Sequence, residues 1–363
     1  MTRTPAPDDR LEAAKGGCTD WFARPPVTMA DELRALASVA GADSTERDLY
    51  GDGGPVALLE ARVAQELAAE AAVFFPSGVM AQQAALRVWC DRSGSRRVAM
   101  PDLSHLLVHE EDGPRVLHGF EVCHLTTGPV TPTAVDVEAL PGHVGAVLVE
   151  LPLRDGGYLL PDLVELQAIS ATCRYRSIPL HLDGARLWEA AAGLGVPPHE
   201  VSALADSTYV SFYKGLGGLA GAAVGASADV AEELRLWRRR LGGTVFTAYP
   251  VALAALHGLE TMLPRMGELH AYARELAAAL PGRGFVVAPQ EVRSLAFRVF
   301  APGTPTELRD RAVSVMERDR VALPHQWRAA DLPGWVWTEV TVTPHVAARP
   351  IEASAELLGR LLG

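Results

Sequence analysis

The chain has 363 residues, of which 48% are hydrophobic and 21% are charged, and this size and composition predict a globular protein with a sizeable core and two packed lobes. Its 33 basic and 44 acidic residues give a net charge of −11, which argues against nucleic acid or an anionic membrane surface as a partner. No apolar run approaches the roughly 18 residues that a membrane-spanning helix needs.

The four cysteines are scattered through the chain and form no CxxC pair. This spacing argues against a metal site and against a disulfide framework, and it predicts a cytoplasmic location. The N-terminal segment is polar, with early acidic residues and no apolar stretch. We therefore expect no signal peptide and a loosely ordered start over residues 1 to about 20.

A strand, a sharp turn and a helix follow one another from residue 71 to about residue 90. The apolar run 71–75 predicts a buried strand, and Pro76-Ser77-Gly78-Val79 opens the helix. Such a turn directs unpaired backbone N–H groups and the positive end of the helix dipole at one point, which favours an anion there. A simple helix cap is the alternative role for Ser77.

Histidines follow the next predicted strand in the segment PDLSHLLVHEEDG. His105 has an ordinary pKa close to neutrality and can carry a proton in catalysis, whereas a satisfied core histidine is the alternative. His109 lies one turn further on and is a candidate for substrate contact. The later loop ELPLRDGG places Arg154 after another predicted strand, either in contact with a ligand or in solvent.

Two later strands lead to residues of opposite charge. The run PLHLD ends at Asp183, and the run TYVSF lies shortly before Lys214. Ligands in open α/β sheets lie beyond the carboxyl ends of the strands, so both side chains are expected at such an edge. Burial lowers the pKa of a lysine, which suits an amine that attacks a carbonyl; a surface lysine in a glycine-rich turn is the alternative. Pyridoxal phosphate needs such a pair, a lysine for a Schiff base and an acid against its ring nitrogen.

The pattern changes after a long helix predicted over about residues 250–280. The segments GFVVA, VRSLAFRVFA and GWVWTEVTVT alternate as antiparallel strands do, and further helices are predicted near Pro305 to Arg318 and at the C-terminus. We therefore expect three parts: an N-terminal segment over 1–45, a large cofactor-binding domain over 46–250, and a linking helix with a small α+β domain over 251–363.

The segments HLDGARLWEAA and SFYKGLGGLAGA resemble the threonine aldolase and β-eliminating lyase family of fold type I pyridoxal phosphate enzymes, and the resemblance covers roughly residues 45 to 250. It implies an α/β fold with a large lobe, whose mixed and mostly parallel sheet is flanked by helices, and a smaller C-terminal α+β lobe. It also implies a homodimer or homotetramer with shared active sites.

The resemblance implies roles for the motifs. Lys214 would hold the cofactor, Asp183 would face its ring nitrogen, and His105 would stack on its ring. In the family a threonine usually stands where this chain has Val79, so one hydroxyl donor to the phosphate is missing. We therefore expect the catalytic residues Lys214, His105 and Asp183; the cofactor-binding residues Ser77, Gly78, Val79, His105, Asp183, Arg186, Ser211 and Lys214; the substrate-binding residues Tyr50, His109, Arg154 and Arg186; and no metal.

The implied reaction cleaves L-threonine, L-allo-threonine or a related β-hydroxy-α-amino acid to glycine and an aldehyde, by a retro-aldol step through an external aldimine. His105, directly or through a water, is the candidate base for the β-hydroxyl. The first alternative is β-elimination, racemisation or transamination of an amino acid on the same scaffold. The second is a cofactor-binding regulator without catalysis, although no segment resembles a DNA-binding domain.

Overall fold

The computed structural model describes residues 7–363, with side chains from Asp9 onward. The chain forms two compact units. One comprises Met29–Met266, and the other comprises Gly267–Gly363 together with the described residues up to Thr28. The domain division expected at residues 45 and 250 stays a prediction.

Helices and short strands alternate through most of the described chain. The α-helices are α1 (Pro7–Gly17), α2 (Met29–Ala37), α3 (Gly54–Leu67), α4 (Gly78–Ser93), α5 (His105–Val108), α6 (Gly113–His118), α7 (Ala134–Glu138), α8 (Leu163–Tyr175), α9 (Leu187–Leu194), α10 (Pro198–Ser202), α11 (Ala228–Arg240), α12 (Tyr249–Thr261), α13 (Met266–Ala279), α14 (Pro305–Asp319), α15 (Pro344–Ala347) and α16 (Ile351–Gly359). The strands are β1 (Asp20–Trp21), β2 (Ala71–Phe75), β3 (Arg97–Met100), β4 (Glu121–His124), β5 (Ala146–Glu150), β6 (Leu180–Gly184), β7 (Ser207–Ser211), β8 (Ala222–Ala226), β9 (Val286–Ala288), β10 (Ala296–Pro302), β11 (Val321–Ala322), β12 (Arg328–Ala329) and β13 (Trp335–Thr341). Within residues 7–363, no helix is long and apolar enough to cross a membrane.

Seven strands form the sheet of the unit Met29–Met266, in the order β2-β8-β7-β6-β5-β3-β4. The strands from β7 to β4 in this order run parallel, and β8 runs antiparallel to both of its neighbours. Every residue of β5, β6 and β7 is buried, as expected for parallel strands covered on both faces. The structure therefore confirms an α/β fold with a mixed, mostly parallel sheet.

The parallel strands direct their carboxyl ends to one edge of this sheet. β5 ends at Glu150, β6 ends one residue after Asp183, and β7 ends at Ser211. Glu150 is paired in register with Asp183, and Asp183 is paired with Tyr209. The fold thus collects the side chains at the ends of three neighbouring strands where ligands of such sheets bind.

Helix α4 packs on this sheet and begins at the same edge. Its inward side includes Ala81, Ala84 and Val88, which are fully buried and belong to one hydrophobic cluster with Leu148 of the sheet. Burial of one valine or leucine side chain contributes about 1.5–3 kcal/mol, so this contact fixes the helix firmly. The first turn of α4, which begins at Gly78, is positioned by this packing.

The second unit is a small α+β lobe. Its sheet has the strand order β12-β13-β10-β9 and is antiparallel throughout, and β1 pairs in parallel with β11. Helix α14 begins with a capping box formed by Thr304 and Glu307. This lobe agrees with the alternating strand pattern of the C-terminal sequence.

Three expected elements are wrong. The helix predicted over 250–280 is two helices, because Pro264 lies in a 3-10 turn between α12 and α13 and a proline disfavours continuation of the preceding helix. Residues 7–17, expected to be loose, form α1. The sequence also predicts a strand over Leu117 to Leu125, but β4 begins only at Glu121, since α6 runs to His118 and the left-handed Gly119 ends it.

Candidate active site

A cavity lies at the carboxyl edge of the parallel strands in the unit Met29–Met266. It brings Lys214 and Asp183, 31 positions apart in the chain, to one place. Its lining residues are Gly78, Val79, Gln82, His105, Leu106, Glu150, Asp183, Ala185, Arg186, Tyr209, Tyr213 and Lys214.

Lys214 follows β7 in a glycine-rich turn. The Gly218 amide closes this turn by donating to the Phe212 carbonyl at 2.8 Å, and a Cβ atom at position 218 would meet that carbonyl oxygen at 2.9 Å. The lysine is half-buried, and burial lowers the pKa of its amine. The Arg186 charge lowers this pKa further, while Asp183 and two glutamates oppose both effects. More of the amine is therefore neutral and nucleophilic than in water.

Asp183 lies on β6 with 1% of its surface exposed. Burial raises the pKa of its carboxyl group, and the Lys214 charge, the Ala185 amide and the Gln82 side chain oppose that rise. The Ala185 amide donates to Asp183 Oδ1 at 3.1 Å. A buried carboxylate in this setting suits a cationic partner such as a protonated ring nitrogen, since pairing offsets the desolvation of its charge.

Glu150 is a second buried carboxylate at this edge, and the sequence analysis missed it. Burial, and then the Asp183 charge, raises the pKa of its carboxyl group. Its two oxygens accept hydrogen bonds from the backbone amides of His105 at 2.8 Å and Arg154 at 3.1 Å. Glu150 therefore fixes the start of two loops that each carry a predicted site residue. The available signal was an acid at the last position of an otherwise apolar strand, AVLVE.

His105 is held by an acidic side chain. Its Nδ1 lies 3.0 Å from Glu110 Oε1, five positions later in the chain. Burial lowers the pKa of His105 to about 4, and the Lys214 charge acts in the same direction. The ring is therefore neutral at neutral pH, and a proton on Nδ1, which faces Glu110, leaves a lone pair on Nε2. The ring centroids of His105 and His109 lie 4.9 Å apart, and His109 Nε2 lies 2.8 Å from Asp155 Oδ2.

The first turn of α4 faces the cavity. Ser77 Oγ accepts a hydrogen bond from the Met80 amide at 3.3 Å, so Ser77 is the cap of the helix. Gly78 and Val79 line the cavity, and the amides of a first helical turn have no partner within the helix. A Cβ atom at position 78 would lie 2.1 Å from the Tyr209 hydroxyl, so this turn requires glycine. Its geometry suits an anion.

Ser211 offers a buried hydroxyl near this turn. Its side chain is completely buried and lies near the Tyr209 hydroxyl, yet it makes no hydrogen bond of normal geometry with any described residue. Buried hydroxyl groups in proteins nearly always have a partner. An anionic ligand at the start of α4 would supply one.

Two arginines lie at or beside the cavity. Arg186 lines it immediately before α9, with its Cζ 5.3 Å from the centre of the Tyr158 ring. Arg154 is not among the lining residues, and it is tied to the site through its backbone bond to Glu150. Of these two, Arg186 is the one whose charge faces the cavity directly.

Tyr50 lies elsewhere on the same unit. Its side chain is 56% exposed, and its ring contacts that of Phe246 edge to face at 5.4 Å between centroids. The structure does not place Tyr50 among the residues that line the cavity of its own chain.

The cavity combines an amine of lowered pKa, a carboxylate on the adjacent strand and a helix N-terminus suited to an anion. These groups fit the aldehyde, the ring nitrogen and the phosphate of pyridoxal phosphate, and the buried Ser211 hydroxyl fits a further phosphate contact. Fold and site together define the class as a fold type I pyridoxal phosphate enzyme.

Comparison with known proteins gives the family. Residues 19–299 match the model of the beta-eliminating lyase family, so the chain belongs to that family of pyridoxal-phosphate-dependent lyases. A solved structure of a provisionally assigned L-allo-threonine aldolase from Listeria monocytogenes is 34% identical, with a TM-score of 0.92 over 98% of this chain and 99% of that one. A provisionally assigned aromatic amino acid beta-eliminating lyase/threonine aldolase from Exiguobacterium is 33% identical, with a TM-score of 0.91 over 97% and 99% of the two chains. Low-specificity L-threonine aldolase 1 of Arabidopsis thaliana is 29% identical over 64% of this chain and 68% of its own length.

The structure thus brings several of the predicted site residues to one cavity, and their individual roles stay predictions. The residues that line it are Gly78, Val79, His105, Asp183, Arg186 and Lys214. Ser77, Ser211, His109 and Arg154 are not among the lining residues. In the chain from residue 7 onward, no three His, Cys, Asp or Glu side chains are arranged to hold a metal ion.

Proposed function

We propose that the chain is an aldolase that cleaves L-threonine, L-allo-threonine or a related β-hydroxy-α-amino acid to glycine and an aldehyde. The observation that carries the proposal is the meeting of Lys214, Asp183 and His105 at one cavity in a beta-eliminating lyase. This substrate class is supported by the names of the Listeria relative, a provisionally assigned L-allo-threonine aldolase, and of the Arabidopsis relative, a low-specificity L-threonine aldolase.

Pyridoxal phosphate, when bound, supplies the electron-accepting ring that stabilises negative charge at the substrate Cα. Lys214 would hold it covalently through its ε-amine, which burial keeps partly neutral. The amides of Gly78 and Val79, with the Ser211 hydroxyl, would bind its phosphate. Asp183 would accept a hydrogen bond from its protonated ring nitrogen.

We propose that His105 moves the substrate proton. Its neutral Nε2 would accept the proton of the β-hydroxyl, directly or through a water, as the Cα–Cβ bond breaks and Cβ becomes the carbonyl carbon of the aldehyde. The electron pair of that bond stays at Cα, which then takes up a proton to give glycine. Glu110, 3.0 Å from Nδ1, would stabilise the positive charge that His105 gains.

Arg186 is the candidate for the substrate carboxylate. Arg186 lines the cavity and its charge acts on Asp183 and Lys214, and the forked donors of an arginine match the two oxygens of a carboxylate. The bond that breaks is the one that the site holds perpendicular to the cofactor ring. Anchoring the carboxylate at Arg186 while His105 takes the β-hydroxyl proton would select the Cα–Cβ bond, which favours aldol cleavage over other reactions of an amino acid.

The test is a substrate panel with product identification. The purified protein, supplied with pyridoxal phosphate, is incubated with L-threonine, L-allo-threonine and phenylserine. We expect glycine and the matching aldehyde in equal amounts. A 2-oxo acid with ammonia would indicate β-elimination, a D-amino acid would indicate racemisation, and a 2-oxo acid that forms only with an amino-group acceptor would indicate transamination. Each of these outcomes without glycine would overturn the proposal.

We also propose a homodimer or homotetramer in which subunits share active sites. Leu49, Tyr50 and Phe246 expose 55%, 56% and 63% of their surface, and grouped apolar side chains of this size mark interaction surfaces. A second subunit would cover them and could bring Tyr50 to the neighbouring cavity. A cytoplasmic location, expected from the scattered cysteines, is part of the same proposal.

A further inference from the structure

A row of buried polar side chains runs from the interior of the unit Met29–Met266 to Asp183. It consists of Trp89 and Gln82 on α4, Ser207 at the start of β7 and His181 on β6. Each of these four residues, and Asp183 itself, is at most 8% exposed, so water does not satisfy their polar groups. Only Gln82 and Asp183 line the cavity.

The contacts in this row are continuous. The Trp89 indole Nε1 donates to Ser207 Oγ at 2.8 Å, and Ser207 Oγ lies 2.7 Å from His181 Nδ1. His181 Nε2 lies 2.8 Å from Gln82 Oε1, and the Gln82 side chain lines the cavity together with Asp183 and acts to lower the pKa of its carboxyl group, as a hydrogen-bond donor does. His181 and Ser207 are paired in register on neighbouring strands, which fixes the middle of the row.

When Asp183 is ionised, only one direction of donation along this row is possible. An indole N–H can only donate, and an ionised carboxylate can only accept. Since Gln82 Oε1 is an acceptor, His181 Nε2 must carry the proton; burial lowers the pKa of His181 to about 3, so its Nδ1 is a bare acceptor. Ser207 therefore accepts from Trp89 and donates to His181. The Gln82 amide accepts from His181 through its oxygen and donates through its nitrogen to Asp183.

We propose that Trp89, Ser207, His181 and Gln82 form a one-way hydrogen-bond chain that holds Asp183 as an ionised acceptor aimed at the cofactor ring nitrogen. All four are positioning residues, and none of them needs to touch the substrate. A protonated Asp183 oxygen would meet the Gln82 N–H donor, so the chain disfavours that state. This inference rests on the proposed function only in that Asp183 serves the cofactor.

Asp183 has several charged or titratable neighbours on other elements. Lys214 and Arg186 favour its ionised form. The acidic groups of Glu150 on β5, Glu110 beside His105 and Tyr209 on β7 interact electrostatically with its charge. The proposed hydrogen-bond chain approaches Asp183 from the α4 side, and its influence on Asp183 is that of neutral groups. Because it carries no net charge, its effect is separable from theirs by substitutions that leave every charge in place.

The first test is a pH titration of the visible absorption of bound pyridoxal phosphate, without substrate. When the hydrogen bonding to Asp183 weakens, Asp183 can lose its charge and the ring nitrogen can lose its proton. The cofactor nitrogen that is bonded to Lys214 then keeps its own proton to higher pH. We expect Gln82→Met to raise the midpoint by about one pH unit, the scale of one hydrogen bond to a charged group. Ser207→Ala and Trp89→Phe should give progressively smaller shifts, and Ser207→Thr should restore the wild-type midpoint.

The matched control is Ser202→Ala. It removes a buried hydroxyl that bonds Thr208 Oγ1 at 3.0 Å, outside the chain, and should leave the midpoint unchanged. If Ser207→Ala does not fold, Trp89→Phe and Gln82→Met carry the test. Midpoints equal to wild type in the chain variants, or an equal shift in Ser202→Ala, would overturn the inference.

The second test reads the tautomer of His181 by nitrogen NMR in protein labelled at histidine, with and without pyridoxal phosphate. The chain has 11 histidines, and His181→Asn identifies the signal. We expect a neutral ring with the proton on Nε2 from pH 5 to 8, and an Nδ1 signal that moves toward its unbonded position in Ser207→Ala. A protonated His181 ring, or a proton on Nδ1, would contradict the proposed hydrogen-bond chain. Since neither test uses a substrate, a failed aldolase assay leaves this inference standing, and the reverse also holds.

Discussion

Glu150 and Asp183 lie directly opposite each other at the ends of two neighbouring parallel strands, and both are buried. Burial raises the pKa of each carboxyl group, and the Asp183 charge raises the pKa of Glu150 further. Their partners differ. Asp183 faces Lys214 and Arg186, whereas Glu150 is bound by two backbone amides, those of His105 and Arg154. One acid is thus available to a cationic ligand, and the other is committed to structure.

The first prediction concerns Glu150→Gln. A glutamine has one acceptor where the two amides need two, and its own N–H₂ group would face one of them. We expect the free energy of unfolding to fall by about 1–3 kcal/mol and kcat/KM to fall about tenfold, because the loop that carries His105 shifts. Chemical denaturation and glycine formation measure the two effects.

Glu165→Gln is the control for this prediction. Glu165 accepts a hydrogen bond from the Ala134 amide at 2.7 Å on the outside of the unit. It should lose stability on a similar scale and keep its activity. If the Glu150→Gln protein kept an unchanged kcat/KM, this result would show that Glu150 does not position His105.

The second prediction concerns Val79→Thr, which replaces a methyl group at the first turn of α4 with a hydroxyl group of similar size. A threonine there can donate to a phosphate, so we expect pyridoxal phosphate to bind about two- to tenfold more tightly, the scale of one hydrogen bond. Fluorescence titration of the apoprotein measures the Kd. Val79→Ala removes bulk without adding a donor and should not bind more tightly. Unchanged affinity in Val79→Thr would place the phosphate elsewhere.

The third prediction concerns Tyr50, which does not line the cavity of its own chain. If it serves a neighbouring subunit, Lys214→Ala and Tyr50→Ala chains, each inactive alone, should complement each other in mixed oligomers. In a mixed dimer one of the two sites carries neither substitution, so we expect about half of the wild-type activity. Co-expression with two different affinity tags and glycine assay of the mixed species test this. No recovered activity would mean that Tyr50 acts within its own chain or not at all.

Much of this site could be predicted because its residues sit in short, distinctive patterns. Lys214 stands alone before a glycine-rich turn, Asp183 ends an apolar strand, and Gly78 opens a helix after a strand. The strand order then follows from the parallel crossovers, and it is this order that brings distant segments to one edge.

Other parts could not be predicted, since they depend on neighbours in space. In the sequence Glu150 is only the last residue of a predicted strand, and its position opposite Asp183 follows from the pairing of β5 with β6. Gln82 is one of two adjacent glutamines on α4, and only the packing of α4 on β6 shows which one faces His181. The one usable signal was that His181 and Asp183, two positions apart on a strand, must point to the same face. The role of Tyr50 stays a prediction, because Tyr50 does not line the cavity of its own chain.

The fourth prediction concerns His118, which is 3% exposed and stacks on Phe120. Neither ring nitrogen has a hydrogen-bond partner among the described residues. Burial, helped by Arg87 and Arg96, lowers its pKa to about 4. The folded state therefore binds this proton less readily than the unfolded state, so the stabilisation is present above pH 6.5 and is lost as the pH falls toward 4.

We expect His118→Phe to reduce the loss of stability between pH 7 and pH 5 by about 1–2 kcal/mol, measured by urea unfolding at each pH. His257→Phe, at an exposed position, should follow the wild-type pH dependence. A His118→Phe protein that loses as much stability as wild type on acidification would show that His118 is not one of the acid-sensitive groups.

The most direct test of the account is to trap the cofactor on its lysine. The chain has only two lysines, Lys15 and Lys214, so borohydride reduction of the protein with bound pyridoxal phosphate, followed by peptide mass analysis, gives an unambiguous answer. We predict one pyridoxyl group per chain, on Lys214, with Lys15 unmodified and with no labelling in Lys214→Ala. Stable labelling at Lys15, or none at Lys214 in protein that cleaves threonine, would contradict the central claim.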